Sequence, residues 1–230
     1  MIEPDATQPP GPLVRPLTPR QQERRTRILR VTNALLAQHG YDAVSMRAIA
    51  AAAGVAERTL FNIYINKDTL IATCARERTE DVINEAWVKA ADPGIGFFLS
   101  LSETLSRRTL EQPDVARALA PVLIQHADIV GLHHVYRRYV GRALDELARQ
   151  GLLEEDDIDT LTGLIGQRMV SAVTLWSGHG MIDDTLETQM RLAVCQVLLP
   201  HAHGNLRDWS HQEARRCVRR LAQAAISPLA

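Results

Sequence analysis

Residues 24–67, RRTRILRVTNALLAQHGYDAVSMRAIAAAAGVAERTLFNIYINK, decide the fold of this chain. Ile28, Leu29, Thr32, Leu35 and Leu36 recur at three- and four-residue intervals, which predicts a helix with one apolar face. Gly40-Tyr41 reads as a loop, and Ser45 is placed to cap a second helix whose inward residues are Met46, Ile49, Ala50 and Ala53. The small side chains among these let another helix approach closely. Gly54 permits the positive backbone angle of a sharp turn, Val55 plugs the corner, and a third helix opens at Ala56 with Leu60 and Ile63 turned inward. Two helices joined by a tight turn, with a supporting helix in front, form a helix-turn-helix.

The charge distribution agrees with a nucleic-acid role for this stretch. The chain carries a net charge of −1, but residues 15–67 hold nine basic side chains against three acidic ones, a net of +6, while residues 68–230 are net −5. Positive charge is thus concentrated where a phosphate backbone would lie. Six of the eleven prolines fall in residues 1–19, which predicts a flexible, Pro-rich arm; its basic end, Arg15 and Arg20, is placed to reach a minor groove or to remain a solvated tail.

The rest of the chain reads as helices. A run from Lys67 to Ala90 is ended by Asp92-Pro93-Gly94, and further helices are expected over 95–111, 114–125, 128–150, 157–177, 184–199 and 210–226. Gly151, Gly178, Gly180 and Pro200 punctuate them, and no alternating strand pattern or internal repeat is visible. The predicted class is all-α: an arm (1–19), a three-helix helix-turn-helix domain (20–67) and a larger helical domain (68–230). At 230 residues and 46% hydrophobic content the chain can bury a substantial core, yet no apolar run approaches the ~20 residues that span a bilayer, so no membrane partner is expected. The start lacks the apolar core of a secretory signal, and Cys74, Cys195 and Cys217 form no close-spaced motif, which points to a reduced, cytoplasmic setting.

The segments ILRVTNALLAQHGY, SMRAIA and AGVAERTLFNIYINKDTL together resemble the DNA-binding domain of the TetR family of transcriptional regulators. Two positions depart from the family pattern. Phe61 stands where the family has a phosphate-contacting tyrosine and Tyr64 where it has a buried phenylalanine, which moves the hydroxyl by about one helical turn. Helix geometry then supplies the DNA-binding candidates. Ser45 offers a hydroxyl and a capped amide to phosphate, and Arg47 reaches a guanine edge or a phosphate. Glu57, Arg58 and Asn62 lie on the side away from Leu60 and Ile63 and are base-reading candidates, Glu57 having the alternative role of a first-turn acid favoured by the helix dipole. Thr59, Tyr64 and Lys67 are phosphate candidates, with Phe61 carried over from the family position.

The resemblance further implies a double-stranded operator, a homodimer and a small, largely apolar effector. The helices near 157–199 are the candidates for self-association, through residues such as Val173 and Val194, the alternative being that they only build the monomer's core. The effector-pocket candidates are the polar or aromatic groups on otherwise apolar helices: Trp87, Phe97, Phe98, Glu103, His126, His133, Tyr136, Arg168, Met169 and Trp176. The competing class is a helical small-molecule-binding protein or enzyme that never meets DNA. No Gly-rich phosphate loop, Ser-His-Asp arrangement or paired-carboxylate motif is visible, so no catalytic residue or cofactor is assigned. His201-x-His203, with Cys195 and His211, lacks a recognised zinc spacing, and no metal is expected. The direction of regulation is open, with repression favoured.

Overall fold

The structure, a computed structural model, describes residues 18–226, so residues 1–17 of the expected arm, Arg15 included, lie outside the described residues. Twelve α-helices follow one another among the described residues, without a strand. The first three are α1 (Pro19–Ala43), α2 (Met46–Ala53) and α3 (Glu57–Tyr64), followed by α4 (Lys67–Lys89), α5 (Ile95–Glu111) and α6 (Pro113–Gln125). The second half comprises α7 (Ala127–Val130), α8 (Leu132–Tyr136), α9 (Arg142–Arg149), α10 (Ile158–Ser177), α11 (Leu186–Leu198) and α12 (Gly204–Ile226). No helix among the described residues is long and apolar enough to cross a membrane.

Capping explains where α1 begins. The Thr18 hydroxyl accepts from the Gln21 amide at 3.3 Å, the Gln21 side chain accepts from the Thr18 amide at 2.8 Å, and Pro19 occupies a first-turn position that needs no donor. The end of the regular helix is set by Gly40, whose φ of 73° and ψ of 177° interrupt it before a last turn at Tyr41–Ala43. Ser45 then caps α2, accepting from the Ala48 amide at 3.2 Å, and Gly54 closes it in the left-handed region with φ of 63°. Ile28, Leu29, Thr32 and Leu36 of α1 meet Met46, Ile49, Ala50 and Ala53 of α2 in the core, as their periodicity predicts. Asn66 caps α4, and that helix carries the core from the helix-turn-helix into the larger domain through Leu70, Ile71, Ala72 and Cys74.

Three expectations change. The helix expected over 128–150 is broken at Gly131, which adopts φ of 63°, and is wound as a π-helical turn over Arg137–Gly141. The last helix begins at Gly204 rather than 210, because the amide of His203 bonds the Leu152 carbonyl at 2.9 Å and Leu206 is fully buried. Most consequentially, Val173 and Val194 are core residues of the monomer, 8% and 1% exposed. The inner face of α11 is covered by α5, α10 and α12, which is why its apolar residues are not available to a second copy. The side of α10 that faces outward instead presents Gly163, Leu164, Gln167, Arg168, Ser171 and Leu175. In the turn before α12, His201 pairs with Asp157 at 2.7 Å and His203 with Glu154 at 3.4 Å.

Candidate nucleic-acid interface and effector cavity

The third helix is short, and its inward edge is only two residues wide. Leu60 is fully buried and Tyr64 is 4% exposed, whereas Ile63, expected inward, is 43% exposed. A helix of eight residues meets its support along a narrow i, i+4 line, and residue 63 falls off it. Tyr64 is therefore turned away from a phosphate: it lies in the neighbourhood of Arg25, Cys74 and Glu77, its hydroxyl has no hydrogen-bond partner among the described residues, and burial raises its pKa to about 12. The outward face carries Glu57, Arg58, Phe61 and Asn62, all exposed, with Thr59 half-buried at its edge. No side chain caps α3 at Ala56, so Glu57 sits in the first turn of an uncapped helix, the location in which an acid favours the dipole.

Beside this face, Ser45 and Arg47 are exposed at the start of α2. Other basic residues are engaged inside the domain. The Arg27 guanidinium donates to the Ala53 carbonyl at 2.9 Å, bracing the turn at Gly54, and Arg25 forms an ion pair with Glu77 of α4. Lys67 is held on the last turn of α1, donating to the Tyr41 carbonyl at 3.2 Å with its ammonium 4.4 Å from the centre of the Tyr41 ring. That carbonyl takes one of its three N–H bonds.

In the larger domain an inner cavity of about 50 Å³ lies between α4, α5, α6, α8 and α10. Arg78, Thr79, Arg108 and Thr109 supply its polar lining and Leu119, Met169 and Val173 part of its apolar walls. An outer groove of about 760 Å³ adjoins it, and Leu123, Leu132, Tyr136 and Val170 line both. A methyl group at Gly166 would stand 2.9 Å from the Tyr136 ring, so this glycine lets the ring lie against the backbone of α10.

Of the ten pocket candidates, Tyr136 and Met169 line the cavity and His133 and Tyr136 the groove. Phe97 and Phe98 are spent on the core, edge to face at 5.5 Å, and Trp87 packs on Phe97 with the Arg142 guanidinium 4.7 Å from its ring. Trp176 is buried, its indole N–H donating to Asp183 at 2.7 Å. Glu103 and Arg168 are exposed outside both linings, and His126 sits at the α6–α7 corner. The residues missed are the polar pairs on α4 and α5. The signal for them was the i, i+3, i+4, i+7 face of Ala75, Arg78, Thr79 and Val82, which places a charge in an apolar row.

The sequence pattern of the bacterial regulatory proteins of the tetR family matches residues 28–74. Over these residues the chain carries a regulatory domain of the tetR family type. The HTH-type transcriptional repressor KstR of Rhodococcus jostii (strain RHA1) is 48% identical over 58 residues, a quarter of this chain, and the chain spans only 27% of that curated relative. The fold of a TetR transcriptional regulator from Rhodococcus sp. RHA1 is similar at a TM-score of 0.64, with 18% identity, covering 78% of this chain and 98% of that one. Thermus thermophilus FadR, a TetR-family repressor solved with lauroyl-CoA, matches at 0.57 and 19%, covering 74% and 93%.

In this chain the two regions meet at Tyr41. Its hydroxyl donates to Asp68 in the first turn of α4, and its ring stacks on His126 at the end of α6. The last turn of α1, where the sequence suggested a loop, is thus joined to the helix that supplies Leu119, Ala120 and Leu123 to the cavity.

Proposed function

We propose that this chain is a transcriptional repressor that acts in the cytoplasm, binds a two-fold symmetric operator as a homodimer, and leaves it when a small, largely apolar molecule occupies the larger domain. The observation that carries the reading is the outward face of α3: Arg58, Phe61 and Asn62 are exposed while Leu60 and Tyr64 anchor the helix behind them. Arg58 pairs with a guanine edge, Asn62 with adenine, and Phe61 packs on a thymine methyl group. Ser45, Arg47, Thr59 and Lys67 hold phosphates on either side. Glu57 supports the helix start.

The dimer forms through the outward side of α10, where Leu164 and Leu175 are 39% and 58% exposed among the small residues Gly163 and Ser171, together with the partly exposed Leu192 and Ala193 of α11. A two-fold dimer places its two α3 helices one helical turn of DNA apart, about 34–36 Å. The names of its relatives support this reading: KstR is a repressor, and FadR is a repressor that holds an acyl-CoA.

Selection from a random duplex pool tests it. The expected result is enrichment of one inverted repeat, bound with an affinity that falls steeply as salt rises because counterions are released from phosphate. Binding confined to single strands, or indifferent to salt, would overturn the reading.

A further inference from the structure

We propose that the effector is an amphiphilic carboxylate whose head is held by Arg78, with Arg108 beside it, at the α4–α5 end of the inner cavity. The inference rests on the reading of this cavity as the effector site and adds a charge to a ligand otherwise described only as apolar. The two guanidinium groups are the charged side chains in a lining made otherwise of aliphatic residues, threonines and Tyr136.

Arg78 spends its visible donors on neutral acceptors: the Gln112 side chain at 2.7 Å and the Arg108 carbonyl at 2.9 Å. Among the described residues no carboxylate forms an ion pair with it. Burial, and then the neighbouring Arg108 charge, lower its pKa, with Glu111 opposing, so the position is short of negative charge. Arg108 is little better served. Its carboxylates are Glu85 at 3.5 Å and Glu111 at 3.7 Å, and both are also claimed by Arg107, Glu85 by Lys89 as well. The Arg108 atom that faces Glu85 is its buried Nε, which makes this ion pair without a hydrogen bond among the described residues.

A guanidinium partly withdrawn from water without a carboxylate partner, as at Arg78, is costly to the protein by itself. A carboxylate arriving with the ligand supplies the missing charge, and the planar fork of Arg78 suits its two oxygens. Thr109 adds a hydroxyl donor at the same end, the Thr79 hydroxyl being spent on the Ala75 carbonyl at 2.8 Å. The cavity alone, at about 50 Å³, admits only the head of a molecule. Because Leu123, Leu132, Tyr136 and Val170 line the outer groove as well, the apolar body runs past Tyr136 into the 760 Å³ space.

Calorimetric titration of the full chain, without DNA, with decanoate and with 1-decanol tests this. The wild type is expected to prefer decanoate by roughly 10- to 150-fold, the range of charge-assisted hydrogen bonds. Arg78→Gln should bring the two affinities together, mainly by weakening decanoate, and Arg78→Lys should restore part of the preference; melting curves establish that each variant is folded. Equal affinities in the wild type, no binding of either probe, or a preference that survives in Arg78→Gln would overturn the proposal. Operator binding is measured separately, so its absence would count against the repressor reading and leave the carboxylate preference standing.

Discussion

The ring of Tyr41 lies against that of His126, with centroids 6.2 Å apart and planes 22° from parallel, and its hydroxyl oxygen is 3.4 Å from the histidine Nε2. Because the same hydroxyl donates to Asp68, three elements share one polar group: the last turn of α1, the first turn of α4 and the α6–α7 corner. A molecule that displaces α6 at Leu119 or Leu123 moves His126 a few residues along the same helix. Tyr41→Phe keeps the ring and removes the shared hydroxyl. The expected outcome is a smaller effector-induced loss of operator affinity, out of a coupling of about 1–3 kcal/mol in allosteric proteins generally. His126→Ala should act similarly, and the double variant should lose little more than either single one. Fully additive losses in fluorescence-anisotropy titrations would show that the two residues do not act as a pair.

Tyr64→Phe separates burial from phosphate contact. The hydroxyl is buried without a partner, so removing it takes away a desolvation cost of about 1–3 kcal/mol and no native hydrogen bond. Stability to urea is expected to stay the same or rise, and operator affinity to remain unchanged. A several-fold fall in affinity with an unchanged urea midpoint would return Tyr64 to the DNA interface.

The reading unit was legible because its signals are local. Ser45 as a cap, Gly54 as a left-handed turn and the apolar spacing of α1 and α2 each follow from a few consecutive residues. What failed depended on a partner far away in sequence. Ile63 and Tyr64 are both apolar-compatible, and only the packing of α3 against α2 and α4 decides which turns inward. Likewise Val173 and Val194 sit on helices with apolar residues on more than one side, and the cover provided by α12 was invisible in a stretch read partly as loop. The pocket was the least legible, since aromatic residues such as Phe97 and Trp176 serve the core while the cavity's polar lining comes from arginines and threonines.

The dimer face follows from that same distinction. Leu175→Glu and Leu164→Glu place charge on the exposed side of α10, so each should yield a monomer by sedimentation velocity with its helical signal and melting temperature retained. Val173→Glu buries an unpaired charge in the monomer itself and is expected to lose several kcal/mol of stability whatever the oligomeric state. An unchanged dimer in both leucine variants would move the interface away from α10.

The three cysteines predict how the protein behaves in alkali. Cys74, Cys195 and Cys217 are all buried, and burial is the first cause raising their thiols to about 12, 12 and 11. An unfolded thiol ionises near 8.5, so between that pH and the raised values the folded state holds protons that the unfolded state releases. Stability is therefore complete below about pH 8.5 and falls as pH rises, by up to about 1.4 kcal/mol per thiol for each pH unit. Tyr64 adds to the fall above pH 10, its ordinary value being below its folded one. Urea midpoints at pH 8, 9.5 and 10.5 should decline accordingly, and Cys74→Ala should flatten the decline after its own cavity cost is subtracted. At pH 8 a disulfide-exchange reagent such as Ellman's should find no rapidly reacting thiol in the native protein and three in guanidinium. A thiol that reacts within seconds in the native state would mean that at least one of these side chains is open to solvent, and the alkaline decline would then have to come from elsewhere.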